Sequence, residues 1–429
     1  MANGNSFVIR GGNELFGKVD LHGAKNAVLP MLAAGLLTKE EVIIEDCPHI
    51  TDIDNMVELL REVGGEVFVE GRKIRVRGQA RTNEISPRLE KTMRSSMFML
   101  GALLATVGEV KMFLPGGCNI GARPLDIHLD GLRRMGAICE ERDGEIFCHV
   151  QRLKGGKILL RYPSVGATEN LILAAVKADG KTTLINCARE PEIVSLANLL
   201  NGMGARIKGE GTSVIEIEGV DTLCGARATP VKDRIVAGTL LSALKVCGGE
   251  IAIGGARRDC MSATVHALKG SGNELEIFDD AVCLRARARK SHAKSEFDSS
   301  FASDFVTGPY PLLPTDMQPM IAATRCFENG VSRIRETVFE NRFAHLKEMA
   351  KLGADVDVAG EVASIKRGRL HAGDVCAKDL RGGAGLVVFC LGIAGESRVS
   401  GVEYIKRGYE NLDLMLSSLG ANIRLETQS

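Results

Sequence analysis

The chain of 429 residues has no Trp and only four Tyr, and its 54 Lys and Arg are matched by 54 Asp and Glu, for a formal charge of zero. A neutral chain has no bulk attraction for nucleic acid or an anionic membrane, so any anion site has to be a local cluster of cations. Long apolar runs are missing too, and the longest, Gly385 to Ala394, is too short to cross a bilayer. No CxxC pair and no Cys/His cluster with zinc spacing occurs, which argues against a metal site. The N-terminus carries no signal-peptide pattern, and the 12 cysteines are scattered singly through apolar sequence, so the expectation is a reduced, cytoplasmic protein. What is present is 45% hydrophobic residues and 49 glycines, which implies two or more packed cores, tight turns and small-residue packing.

Self-similarity accounts for many of the glycines. A helix-then-turn signature recurs six times (LLREVGGEV, GLRRMGAIC, LLNGMGARI, ALKGSGNEL, EMAKLGADV, MLSSLGANI), placing turn glycines at Gly64, Gly136, Gly204, Gly272, Gly353 and Gly420. Each unit opens with a small-residue amphipathic helix such as NAVLPMLAAGLL, followed by a short strand, a second helix ending at the signature glycine, and two closing strands. The glycine suits the position after a helix, where positive φ is needed. The pattern predicts an α/β fold of βαβαββ repeats. The N-terminal run FVIRGGNELFGKVDLHG resembles the closing strands of a repeat, and the chain stops where those strands are due. The expectation is therefore that the N-terminus completes the last repeat, giving one domain at residues 24–231 and a second, discontinuous one at 1–23 with 232–429. The linker-like stretch KSHAKSEFDSSFASDFVT reads as a surface excursion.

Equivalent positions of the repeats carry unlike polar residues. At the start of the first helix stand Lys25 and Asn26, Arg94, Ser164 and Thr168, Asp233 and Arg234, Asp316, then Asp379 and Arg381; after the following strand stand Cys118 and Arg123, Arg189 and Glu190, Arg342, and Arg407. A shared topology puts these positions at one end of each domain, where helix N-termini favour anions. Two such ends facing each other would form a cleft for phosphates and carboxylates, with Arg supplying bidentate contacts. Cys118 lies in the glycine-flanked loop LPGGCNIGARPLDIH, among cations that favour thiolate, and is a candidate nucleophile or acid. Cys247, Cys326 and Cys390 on apolar helices read as buried filler, and His128 and His345 as structural. Asp316, after a Pro-Thr turn, is the candidate base. An acid on one domain and a base on the other suit a lidded two-substrate transferase.

The runs GAKNAVLP, KTMRSSMF, LPGGCNIGARPLDIH, SVGATEN, AREPEIV, LPTDMQ, ETVFENRF, DLRGGAG and KRGYENL, in this order over essentially the whole chain, resemble the UDP-N-acetylglucosamine enolpyruvyl transferases of the EPSP synthase superfamily. The resemblance implies two inside-out α/β barrel domains of three repeats each, with the active site in the interdomain cleft. It also implies transfer of the enolpyruvyl group from phosphoenolpyruvate to the sugar 3-hydroxyl, the first committed step of peptidoglycan synthesis, with no cofactor and no metal. Carried over by motif, Lys25, Arg123 and Arg407 hold phosphoenolpyruvate, and Cys118 is the proton donor, a site of covalent adduct formation and the target of fosfomycin. Asn26, Arg94 and Asp316 contact the sugar nucleotide, Asp316 also taking the hydroxyl proton. Arg123, Pro124, Leu125, Asp126 and Ile127 line the uracil, Ser164, Val165 and Gly166 the diphosphate, and Val338 meets the substrate through its backbone. Asp379 and Arg381 support the phosphoenolpyruvate side, with Arg342 beside them. Two residues before Ser164 this chain has Tyr162, where some members carry Lys. Cys at position 118, where resistant members have Asp, predicts fosfomycin sensitivity.

Two rivals share the repeat architecture. The shikimate-pathway enolpyruvyl transferases lack the PGGC loop with ARPLDIH, and an RNA 3′-phosphate cyclase calls for ATP and a basic track that a neutral chain does not supply. A catalytically silent sugar-nucleotide binding protein is countered by the presence of Lys25, Cys118, Asp316 and Arg407 together.

Overall fold

The computed structural model describes residues 4–85, 94–113, 125–269, 275–279, 283–288 and 303–427. They divide into two compact units, one within residues 22–231 and the other formed by residues 4–21 with 232–427.

In the first unit, the helices Lys25–Ala34, Phe98–Thr106 and Val165–Ala175 are apolar on nearly every side and almost wholly buried. They pack on one another, so the expectation that these first helices are amphipathic gives way to a central, water-excluded set. Amphipathic character belongs instead to the second helices, Thr51–Glu62, Asp126–Arg134 and Pro191–Gly202, which bury one stripe and expose the other. The other unit repeats the arrangement, with Arg234–Cys247, Gln318–Arg325 and Leu380–Gly392 as its buried helices.

The sheets follow a common rule, seen most fully in the third repeat. Lys181–Ile185 pairs in parallel with Lys157–Leu159 and antiparallel with Val214–Glu218, and Arg206–Lys208 lies outermost. In chain order this is strand, helix, strand, helix, strand, strand. Burial alternates along these strands, one face toward the helices and one outward, as at Val214–Glu218. The first unit closes on itself where Ala226–Ala228 pairs in parallel with Val42–Ile44 of its first repeat.

The N-terminus is divided between two sheets. Ser6–Gly11 runs antiparallel to both Gly395–Ser400 and Asn422–Glu426, supplying the strand the last repeat lacks. Leu15–Asp20 pairs in parallel with Gly249–Gly254 of the fourth repeat. Only the first of these strands therefore completes the last repeat; a turn with Gly12 at φ 100° sends the second to another sheet. The signature glycines Gly64, Gly136, Gly204, Gly353 and Gly420 all have φ between 88° and 101°, while Gly272 lies outside the described residues. Cys247, Cys326 and Cys390 are buried. Among the described residues no helix is long and apolar enough to cross a membrane.

Candidate active site

The polar residues singled out at helix starts cluster most tightly in the unit containing residues 232–427. Asp316 occupies the short turn Thr315–Met317 ahead of Gln318–Arg325. One of its carboxylate oxygens accepts from Arg342 Nη2 at 3.1 Å, the other from Arg381 Nε at 3.1 Å. Asp379 caps Leu380–Gly392, its Oδ1 accepting from the backbone N–H of Arg381 at 3.1 Å and Gly382 at 2.9 Å, and it also lies 3.5 Å from Arg342 Nη1. Two almost fully buried guanidinium groups thus stand against two carboxylates, and both arginines contact Asp316. The two arginines, one on each carboxylate oxygen, fix the orientation of Asp316.

Arg381 also lies over the Tyr409 ring, 5.2 Å from its centroid. Burial acts against its charge, but Tyr409, Asp316 and Asp233 outweigh that and hold its pKa above the usual guanidinium value. Among the described residues Arg381 Nη1 is buried with no hydrogen-bond partner, a donor suited to an anion. The Tyr409 hydroxyl is 2.8 Å from Thr239 Oγ1. Glu336 accepts from the N–H groups of Val338 at 2.9 Å and Phe339 at 3.2 Å, and from Thr315 Oγ1 at 3.0 Å, tying the Val338 segment to the Asp316 turn. Arg407 follows the short helix Val402–Lys406 and is half-buried.

In the other unit Lys25, the first residue of its helix, is buried with Nζ 2.5 Å from Asp52 Oδ2. Asn26 beside it is half-buried. Ser164 caps Val165–Ala175 by accepting from Ala167 N–H at 3.3 Å, and Val165 and Gly166 form the partly open first turn. Asp126 accepts from its neighbour Ile127 N–H at 2.8 Å and forms an ion pair with Arg161; Leu125 packs against the core. His128 Nδ1 lies 3.0 Å from the amide nitrogen of Asn170, whose oxygen accepts from Gly101 N–H at 2.6 Å. That orientation makes Nδ1 the acceptor and puts the imidazole proton on Nε2. Burial pushes the His128 pKa down to about 4, so the ring is neutral near pH 7. Glu169 is buried beside Glu192 and Glu190, and burial first, then those two charges, raise it well above the usual carboxylate range. Arg94 opens the turn Arg94–Met97. Cys118, Arg123 and Pro124 lie outside the described residues.

Asp52, Tyr409, Glu336 and Glu169 were not apparent from sequence. Asp52 had a usable signal: acidic residues recur in the first turn of the second helices, at Asp52, Asp126 and Glu192. Tyr409 had none, because its partner Thr239 stands 170 residues away.

The pattern of the family described as EPSP synthase (3-phosphoshikimate 1-carboxyvinyltransferase) matches residues 9–415. Over 419 residues, 97% of this chain and 98% of the relative, the sequence is 43% identical to UDP-N-acetylglucosamine 1-carboxyvinyltransferase 2 of Caldanaerobacter subterraneus subsp. tengcongensis. A protein named UDP-N-acetylglucosamine 1-carboxyvinyltransferase from Halorhodospira halophila is 43% identical over 421 residues, 97% of this chain and 98% of its own. The crystal structure of the enolpyruvyl transferase NikO from Streptomyces tendae superposes with a TM-score of 0.86 at 24% identity, covering 100% of both chains. EPSP synthase from Acinetobacter baumannii gives 0.74 at 16% identity, covering 98% of this chain and 100% of that one; these two likenesses speak to the fold alone.

Proposed function

The chain belongs to the EPSP synthase family, and from that membership we propose that it transfers the enolpyruvyl group of phosphoenolpyruvate to the 3-hydroxyl of UDP-N-acetylglucosamine, releasing phosphate. The observation that carries this reading is the full-length kinship with relatives named for that activity on UDP-N-acetylglucosamine. The reaction opens peptidoglycan synthesis and takes place in the cytoplasm.

In this reading the units are two inside-out barrel domains, residues 24–231 and 1–23 with 232–429, and both contribute to one site. Lys25, Arg123 and Arg407 hold the phosphate and carboxylate of phosphoenolpyruvate, with Arg381 and Asp379 behind them. The buried, unpartnered Nη1 of Arg381 supports an anion on that side. Asn26, Arg94, Ser164 to Gly166 and the segment Arg123 to Ile127 hold the sugar nucleotide, and Val338 adds a backbone contact. Asp316, oriented by Arg342 and Arg381, takes the proton from the attacking hydroxyl as its oxygen bonds to the central carbon of phosphoenolpyruvate. Cys118 delivers a proton to the methylene carbon, giving a tetrahedral intermediate. Loss of phosphate together with a proton from the new methyl group restores the double bond. The surrounding cations stabilise the phosphate as it departs.

The test is phosphate release from phosphoenolpyruvate with UDP-N-acetylglucosamine or shikimate 3-phosphate as acceptor. Release with the nucleotide sugar only, and its loss in Cys118→Ser, is the expected result. Release with shikimate 3-phosphate instead would move the chain to the other branch of the family.

A further inference from the structure

Cys139 and Cys148 stand directly opposite each other in the hairpin of Ile138–Arg142 and Glu145–His149. Its turn is Asp143–Gly144, with φ of 52° and 80°, the two-residue type whose twist matches the strands. Starting from the hydrogen-bonded pair Arg142–Glu145 that closes such a turn, opposed pairs alternate, and Cys139–Cys148 falls on a non-hydrogen-bonded one. Cα atoms in such pairs are about 4.5 Å apart and their side chains approach closely, within the spacing of about 4.4–6.8 Å that a disulfide spans. No other strand-register pair among the described residues joins two cysteines. Ile138–Arg142 is an edge strand of its three-stranded sheet, and Cys139 keeps 8% of its surface open while Cys148 has none. Arg133, in the last turn of Asp126–Arg134, donates to the Cys139 carbonyl at 2.9 Å. Hydrogen bonding from Cys148, with help from the Arg133 charge, lowers the Cys139 thiol pKa, and the same contact raises that of Cys148.

We propose that Cys139 and Cys148 form a dithiol oxidation site, separate from the Cys118 chemistry, that a peroxide converts to an intrachain disulfide. Cys139, the more acidic and more open thiol, attacks one peroxide oxygen as thiolate. The O–O bond breaks, hydroxide leaves and picks up a proton to become water, and Cys139 is left as a sulfenic acid. The Cys148 sulfur then attacks the Cys139 sulfur; the S–S bond forms, the S–O bond breaks, and the departing hydroxide takes the Cys148 proton as a second water. Two thiols are oxidised and one peroxide is reduced to two waters.

The test uses the full chain treated with hydrogen peroxide, then denatured, alkylated with iodoacetamide and digested without reductant. The expected product is one linked peptide pair containing Cys139 and Cys148, lighter by two hydrogens than the separate peptides. It is absent from Cys139→Ser and Cys148→Ser and reversed by dithiothreitol. Cys118→Ser, run in parallel, removes the loop thiol as a competitor; there the free thiols titrated under denaturing conditions should fall by two per chain. Recovery of Cys139 and Cys148 in alkylated form after peroxide treatment, or their capture only by other cysteines, would overturn the proposal. The readout is made on the unsubstituted chain, so it does not depend on whether a serine variant folds.

Discussion

Asp316 is held at both oxygens by guanidinium groups that are themselves nearly inaccessible to solvent, so its position is set by the fold before any substrate arrives. Asp316→Ala should therefore retain binding of UDP-N-acetylglucosamine by calorimetry while turnover falls at least ~100-fold, the scale of a lost general base. Near-normal turnover would remove Asp316 from the mechanism. Sequence reasoning reached Asp316, Asp379 and Arg381 as charged residues at the starts of small-residue helices and Arg342 as the one after the following strand, and the structure brings these four into contact. It did not reach the residues that tune them. The ring beneath Arg381 belongs to another element, and the Glu336 carboxylate, though only two residues from Val338, ties that segment to Thr315 across 21 residues, a link no local pattern announces.

Glycine turns at the helix ends share one backbone conformation but differ in their surroundings. A Cβ at Gly204, with φ 96°, would meet nothing within 4 Å, whereas one at Gly353 would lie 2.1 Å from the Arg369 carbonyl oxygen. Gly204→Ala should cost about 1 kcal/mol, the left-handed backbone penalty alone. Gly353→Ala should cost distinctly more, since a backbone oxygen has to move; equal losses in urea denaturation would contradict the difference. The repeat and the positive φ were legible because a glycine at a fixed offset after each helix marks the left-handed residue that ends it. The amphipathic reading of the first helices failed for a physical reason: neighbouring helices and the sheets cover them on all sides, leaving no polar face to display. The opposed cysteines carried a readable signal that was missed, since Asp143–Gly144 lies midway between them and fixes the register.

At the scale of the molecule, each unit contains a buried neutral histidine, His128 in one and His345 in the other, and burial lowers both to about 4 from an ordinary value of 6.5. Between those values the unfolded chain binds more protons than the folded one, so stability rises with pH through that window. This contribution is complete above about pH 6.5 and is lost on acidification toward pH 4, at up to about 1.4 kcal/mol per pH unit for each ring. Denaturation midpoints should fall across this range in the unsubstituted chain and fall less in His128→Gln. An unchanged slope would show that His128 takes up its proton without unfolding. Removal of residues 1–11 should abolish hydrogen-exchange protection in Gly395–Ser400 and Asn422–Glu426, both of which pair with Ser6–Gly11, while protection in Lys181–Ile185 persists. That same pairing bears on the order in which the protein is made. Ser6–Gly11 is synthesised long before its partners Gly395–Ser400 and Asn422–Glu426, so its unit cannot finish folding until those strands have been made. The other can close as soon as Ala226–Ala228 emerges to meet Val42–Ile44, and the nascent chain carries one finished unit while the first strand of its neighbour is still unpaired.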